Sequence, residues 1–419
     1  MSPLVHRLYY NDSYLTEFEA EVIDVRESVR EQGRSEWQIA LDRTAFYPTS
    51  GGQSFDIGVL EAASRSGAMI EAPITSVLEE DGGEIWHTTE KVLQPGVRVH
   101  GRINRERRRD HMQQHTGQHI LSAAFIKLFN FATLSFHLGA ESCTIDLNTA
   151  SLSRDQLLAA QDSANESITA NLPVTVEYAS AEEARARGVR KIPDREGEMR
   201  LIHIDGIDLN ACGGTHVSRT GEIGAILLRT TEKVTQGTRV EFACGTRAVR
   251  FAGQDFDLLA RSAALLSTPA TSIPEAIMRL QEQGKTATKE NLHLLEEIAA
   301  LHAEKLFAEA RDEGGIKVVR HISDRDLAFV KMLASNVTRG RAGVLALMAS
   351  RGAQPGIVVA QSSDQSSNLG LLIKEVLAVH GLRGGGSKDM AQGGVAAPAQ
   401  IDEIFNAVIG KAGVAKPVT

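Results

Sequence analysis

Cysteine is scarce in this chain: three occur in 419 residues, Cys143, Cys212 and Cys244. An odd, sparse set excludes a disulfide framework and leaves the thiols free for chemistry. Long apolar runs are absent as well. None approaches the roughly 20 residues a membrane-spanning helix needs, so no membrane partner is expected. The N-terminal stretch MSPLVHRLYYNDSYLTEFEA lacks the basic-then-apolar pattern of an export signal and carries acids early; the expected location is the cytoplasm. There is no overall basic field either. Net charge is −8, so any nucleic-acid contact has to come from a local patch. No internal repeat is found. What is present is an ordinary globular composition, 42% hydrophobic and 23% charged, over a length that suggests two to three domains.

The organisation reads as α+β. Residues 1–103 carry short alternating stretches at 19–25, 37–41 and 96–103, separated by Gly, Pro and Asp; the expectation is an N-terminal β-barrel. Residues 104–250 read as an α+β core. It has a helix over about 105–129, strand-like alternation over 133–147, a helix capped by Ser153 and running to about 171, and strands at 221–226 and 238–243. Residues 251–313 read as a helical spacer. Ile277, Leu280, Leu292, Leu295, Ile298, Leu301 and Leu306 recur at three- and four-residue steps, as in one long amphipathic helix, a helical hairpin or a coiled coil. Gly284 is a point of bending. A spacer packed on its own domain and a dimerising helix both satisfy the pattern, so a homodimer through this spacer or the C-terminal domain stays open. Residues 314–419 read as a small α/β domain, with strands at 316–322, 344–349 and 356–360, helices at 324–338 and 368–379, and a Gly-rich loop around Lys388.

Two short motifs carry the chemistry. His115-Thr116-Gly117-Gln118-His119 sets two imidazoles at i, i+4, which on a helix stacks both rings on one face about 6 Å apart at Cβ. Cys212-Gly213-Gly214-Thr215-His216 repeats the spacing, but paired glycines disfavour a helix. A tight loop that lets backbone pass close to a metal fits better. His115, His119, Cys212 and His216 together form a full tetrahedral set for Zn²⁺. Four protein ligands describe a structural ion as readily as a catalytic one, because a hydrolytic zinc usually keeps a position for water. Displacement of one ligand, five-coordination, and a metal that only positions substrate all stay open. His111 shares the helical stripe of His115 and His119, so His111–His115 is the alternative pair. A metallopeptidase would need a glutamate where Thr116 stands. The loop from Thr44 to Gln53 is either a surface turn or part of a site. Arg102, Arg105, Arg107, Arg108 and Arg109 are either a solvated face or a phosphate-binding cluster beside the metal helix.

These motifs together resemble a family. HTxxH with a later CGGTHV, TGEIGAI and FYPTSGGQ is similar to the alanyl-tRNA editing proteins (the long form of the AlaX family), relatives of the editing domain of alanyl-tRNA synthetase. GGGSKDMAQGG resembles that synthetase's C-terminal, DHH-associated domain. The likeness covers most of the chain in synthetase order. It implies an ATP-independent, zinc-dependent aminoacyl-tRNA hydrolase acting in trans on mischarged tRNA(Ala), with Ser-tRNA(Ala) ahead of Gly-tRNA(Ala). It also implies one Zn²⁺ on His115, His119, Cys212 and His216, Gln53 lining the editing pocket, and Thr44 recognising the serine hydroxyl. A tRNA partner would explain Arg105, Arg107, Arg108, Arg109 and Lys388 as RNA contacts. No aminoacylation domain is expected, since too little chain precedes residue 40. Gly117-Gln118 departs from relatives that often carry Ala and a small or apolar residue, which alters the pocket wall. The physical need is clear: a pocket shaped for a methyl rejects an added hydroxyl only on the order of 10²-fold, so correction requires a second site that demands the hydroxyl. The reading from another class is a non-catalytic, zinc-stabilised tRNA-binding module.

Overall fold

Alternating apolar residues near the N-terminus build a seven-stranded antiparallel sheet. Its order is Met69–Ile74, Gly58–Ala63, Arg98–Ile103, Glu17–Val29, Ser35–Leu41, Ile85–Thr89, Ser76–Glu79. Phe18, Val22, Ile39, Leu41, Leu60 and Val99 share its core. The expected barrel does not close, because the two edge strands do not pair with each other. They are successive pieces of one extended segment that turns at Thr75, whose N–H donates to the Thr88 carbonyl at 3.0 Å. Covalent continuity, rather than a hydrogen-bond ladder, joins the ends of the sheet. The computed structural model describes residues 5–29, 35–63, 67–189, 197–352, 354–395 and 397–412, and the chain divides into two units, Met1–Arg261 and Ser262–Thr419.

In the first unit the sheet hands over to a helix at Asn104. Its side chain accepts the Arg107 N–H at 2.9 Å, and Glu106 lies in the first turn, where it meets the positive end of the helix dipole. The helix Arg105–Phe129 ends at Asn130, which adopts left-handed backbone with φ 56°. Every residue from His111 to Ser122 is buried. That burial arises because the helix lies under Arg154–Thr169 and against the sheet Thr133–Leu138, Cys143–Leu147, Gly237–Cys244, Ile226–Val234. Arg154–Thr169 starts with a reciprocal Ser153–Gln156 cap. A three-stranded sheet, Val174–Ala179, Met199–Ile204, Asp208–Ala211, leads the chain to Cys212. The strand expected at 221–226 begins later, as Ile226–Val234. Thr220–Ile223 is a 3-10 turn, and Gly224 at φ 84° breaks the extended run.

In the second unit Ile273–Ala308 is one 36-residue helix rather than a hairpin. Its C-terminal part buries Ala299 and Ala303 against Leu327–Thr338, while Met278, Leu280 and Leu292 stay exposed. A six-stranded sheet runs Arg311–Glu313, Ile316–Ser323, Val344–Ser350, Gly356–Gln361, Met390–Gly394, Gly384–Gly386. Val344–Ser350 and Gly356–Gln361 are buried throughout, since Leu327–Thr338 covers one face and Leu369–Val379 with Ile401–Lys411 covers the other. The expected Gly-rich loop is an edge hairpin, Gly384–Gly386 against Met390–Gly394. Glycine provides room there: a Cβ on Gly384 or Gly393 would overlap Leu377.

His87 lies fully buried in the first sheet. Its Nδ1 is 2.9 Å from the Ile39 carbonyl, which makes it the protonated nitrogen, and Nε2 accepts from the Thr44 hydroxyl at 2.8 Å. Burial pushes its pKa down to about 4. The unfolded chain takes up this proton near pH 6.5. Between about pH 6.5 and 4 the unfolded state therefore binds more protons, and stability falls as pH falls, by up to about 3 kcal/mol. Trp37 and Trp86 both sit in this sheet, so tryptophan fluorescence reports its unfolding. Denaturant titrations across this range should show the decline, and His87→Gln should make it shallower, with buried His111 and His216 leaving a residual slope. An identical pH slope in the variant would refute the role of His87.

Candidate metal centre

Helical spacing on one side and a glycine loop on the other bring four ligands together. His115 and His119 come from the Arg105–Phe129 helix, Cys212 and His216 from the irregular chain after Asp208–Ala211. Their ligand atoms lie within 4.8 Å of one another. Cys212 Sγ is 3.4 Å from His115 Nε2 and 3.3 Å from His216 Nε2. His111 is not part of the cluster; its Nδ1 faces Asp56 Oδ1 at 4.0 Å. The two helical imidazoles that join the cluster are His115 and His119, and His111 lies outside it.

Each imidazole is aimed by whatever holds its other nitrogen. Nδ1 of His115 donates to Gln53 Oε1 at 2.8 Å, Nδ1 of His119 to Asp208 Oδ2 at 2.9 Å, and Nδ1 of His216 to Thr116 Oγ1 at 3.1 Å. The Thr116 hydroxyl itself donates to the Met112 carbonyl at 2.9 Å, which fixes it as the acceptor. Such partners orient ligating histidines and raise their basicity. The loop is held as firmly. Buried Arg200 donates to the carbonyls of Cys212 at 2.7 Å and Gly214 at 3.0 Å. Gly214 N–H points at Cys212 Sγ at 3.4 Å. A Cβ at Gly214 would overlap the His115 ring, so only glycine fits.

Charge follows the same plan. Burial would raise the Cys212 thiol, but the His115 and His216 rings outweigh it and hold Cys212 well below the usual thiol range. Burial and His115 push His216 down to about 3. Burial lowers His119 too, yet Asp208 and Cys212 outweigh that and carry it up to about 10. A thiolate beside neutral imidazole is the ligand form, and a cation entering the cluster would displace the His119 proton. The N₃S donor set suits a borderline-soft divalent metal.

His115, His119 and Cys212 form part of the wall of a cavity of about 720 Å³. Tyr47, Ser50 and Gly52 line one part of it, and Gln118, Ser122 and Phe136 line others. Thr44 and Gln53 are not on this wall. Thr44 Oγ1 is engaged by His87 at 2.8 Å and by the Phe46 N–H at 3.1 Å, so it sets the start of the loop. Gln53 is fully buried behind His115, with Oε1 also accepting the Thr215 N–H at 3.1 Å and Nε2 donating to Thr215 Oγ1 at 3.0 Å. Arg108 does not fit an RNA contact. It is buried, paired with Asp56 at 2.5 Å, and donates to the Ser13 carbonyl at 2.8 Å. Arg102 pairs with Glu61 at 2.7 Å and Arg107 donates to the Phe55 carbonyl at 3.0 Å. Arg105, Arg109 and Lys388 are exposed. Sequence reasoning missed Asp208 and Arg200. A carboxylate four positions before a cysteine ligand was a usable signal for the first; nothing local marks the second.

Two family models match. Residues 199–241 match the threonyl and alanyl tRNA synthetase second additional domain, and residues 5–107 match tRNA synthetases class II (A). The alanyl-tRNA editing protein AlaX-L of Pyrococcus horikoshii is 31% identical over 97% of this chain and 98% of its own. The alanyl-tRNA editing protein Aarsd1 of Danio rerio is 31% identical over 78% of this chain and 79% of its own. The alanine–tRNA ligase of Halobacterium salinarum is 34% identical over 96% of this chain and 44% of its own.

The partners of the rings should matter to metal retention. Asp208→Asn and Gln53→Met are each expected to weaken divalent-metal binding about 10- to 100-fold, measured by competition with a chromogenic chelator. Parent-like affinity in both would show that the rings need no such support.

Proposed function

Because this chain belongs to the alanyl-tRNA editing protein family, we propose that it is an aminoacyl-tRNA hydrolase acting in trans on mischarged tRNA(Ala), with Ser-tRNA(Ala) ahead of Gly-tRNA(Ala). The observation that carries this reading is a cavity of about 720 Å³ lined by His115, His119 and Cys212, three members of the four-residue cluster. Zn²⁺ is the proposed ion. With bonds of roughly 2.0–2.3 Å at a tetrahedral angle, zinc donors stand about 3.3–3.8 Å apart. Cys212 Sγ stands 3.4 and 3.3 Å from two of its partners. Bound zinc supplies Lewis-acid polarisation and eases the ionisation of water near neutral pH.

The protein's own part is to place and hold. The cavity receives the aminoacyl end of the tRNA. Gln53, Asp208 and Thr116 keep the three rings fixed, so the site needs no reorganisation as charge develops on the ester. Arg105 and Arg109 lie on the same helix, roughly 9–21 Å ahead of His115 and His119 by helical rise. There they would neutralise phosphates without reading bases, with Arg107 and Lys388 as weaker candidates. A homodimer through Ile273–Ala308 belongs to the same proposal, supported by the apolar side chains this helix leaves exposed.

One observation favours a second reading, a non-catalytic zinc-stabilised tRNA-binding module: all four donors are side chains, which fills a tetrahedron. Incubating the protein with Ser-, Gly- and Ala-tRNA(Ala), with and without chelator, separates the two. Hydrolysis should release serine, should spare the alanyl ester by roughly 10⁴-fold, and should stop with chelator and return with Zn²⁺. Tight tRNA binding with no ester loss would decide for the module. Replacing Arg105 and Arg109 together by alanine should weaken tRNA binding and reduce the salt slope by about two. A flat salt dependence in the parent would remove the arginines from the RNA interface.

A further inference from the structure

Between the two helical ligands lies a side chain with unused hydrogen-bonding capacity. Gln118 follows His115 by three positions and precedes His119. It is 5% exposed and belongs to the cavity wall. Its Nε2 donates to Ser122 Oγ at 2.8 Å, one helical turn on, and Ser122 shares a 2.7 Å hydrogen bond with Thr133 Oγ1. Ser122 and Thr133 also line the cavity, so the three groups form one polar strip beside the ligand helix. Gln118 Oε1 has no partner among the described residues, and a primary amide carries a second N–H. Turning the amide over does not remove the deficit, since one end meets Ser122 and the other meets nothing. A buried polar group left this way carries an uncompensated desolvation cost, which a ligand can recover. The other candidates near the cluster are already engaged: Thr44 by His87 and Phe46, Gln53 by His115 and Thr215.

We propose that Gln118 is the specificity-determining residue for the amino-acid side chain, its amide pairing with the seryl hydroxyl of the substrate. This rests on the deacylase reading. A hydroxyl both donates and accepts, so it satisfies either end of the amide. The methyl of an alanyl ester satisfies neither, and a buried site that loses such a bond discriminates strongly. The neighbouring Gly117 keeps this stretch of helix in place, because a Cβ there would overlap Cys244 Sγ.

The test uses the zinc-loaded full chain with Gln118→Met, and Gln118→Leu as a second variant should the first fold poorly; zinc content and thermal midpoint check folding. Values of kcat/KM are measured on Ser-, Gly- and Ala-tRNA(Ala). The seryl-over-alanyl and seryl-over-glycyl ratios are expected to fall at least about tenfold. A hydrolysis-resistant, amide-linked seryl adenosine should bind the parent better than its alanyl counterpart, and that preference should vanish in the variants. Unchanged ratios, or seryl and glycyl turnover falling in step, would overturn the role of Gln118 while leaving the deacylase reading intact. A parent that releases none of the three amino acids would overturn the deacylase reading and this proposal with it.

Discussion

An imidazole can offer Nε2 to a shared point only while something else holds its Nδ1, and the first unit is arranged around that requirement. The three holders come from three places: Gln53 from the loop of the seven-stranded sheet, Asp208 from the small sheet, and Thr116 from the ligand helix itself. Remove any one and a ring is free to rotate about two bonds. The elements that look remote from the cluster are therefore needed to build it. Arg200 adds the fourth fixed point by clamping the carbonyls of the cysteine loop. Preorganisation of this kind is what separates a site from a mere collection of ligands.

Local periodicity was enough to pick out the four side chains that cluster. An i, i+4 pair on a helix is a neighbour relation written within five residues, and Gly213-Gly214 marks the loop that must pass close to a ring. The strands Ile316–Ser323 and Val344–Ser350 were legible within a residue for the same reason, since their apolar runs are continuous. What escaped depends on partners far along the chain. Whether Met69–Ile74 and Ser76–Glu79 pair with each other is not encoded in either segment. His111 and His119 look alike on their stripe, and what separates them is that one faces Asp56 and the other Asp208. A run of arginines reads as a solvated face, yet Arg108 is drawn inward because Asp56, fifty-two positions earlier, waits there.

Thr44 and Gln53 illustrate a different limit. Resemblance marked them as residues that touch substrate, whereas the geometry sets each one layer back, Thr44 behind the loop and Gln53 behind His115. A side chain that aims another can be as indispensable as one that makes contact, so family patterns alone do not distinguish the two. Gln118 was visible in the opposite way, as a departure from the usual pattern, and the free end of its amide gives that departure a chemical meaning.

The buried pair of Arg108 and Asp56 also fastens the ligand helix to the N-terminal sheet, with the Ser13 and Ala45 carbonyls completing the guanidinium's bonds. Severing such a pair leaves one charge stranded in hydrocarbon, at about 3–5 kcal/mol. A recombination joint falling between the two positions would thus set the guanidinium under a foreign sheet with no carboxylate to meet it. Transplanting either half intact therefore means carrying the other with it, however separable their cores look.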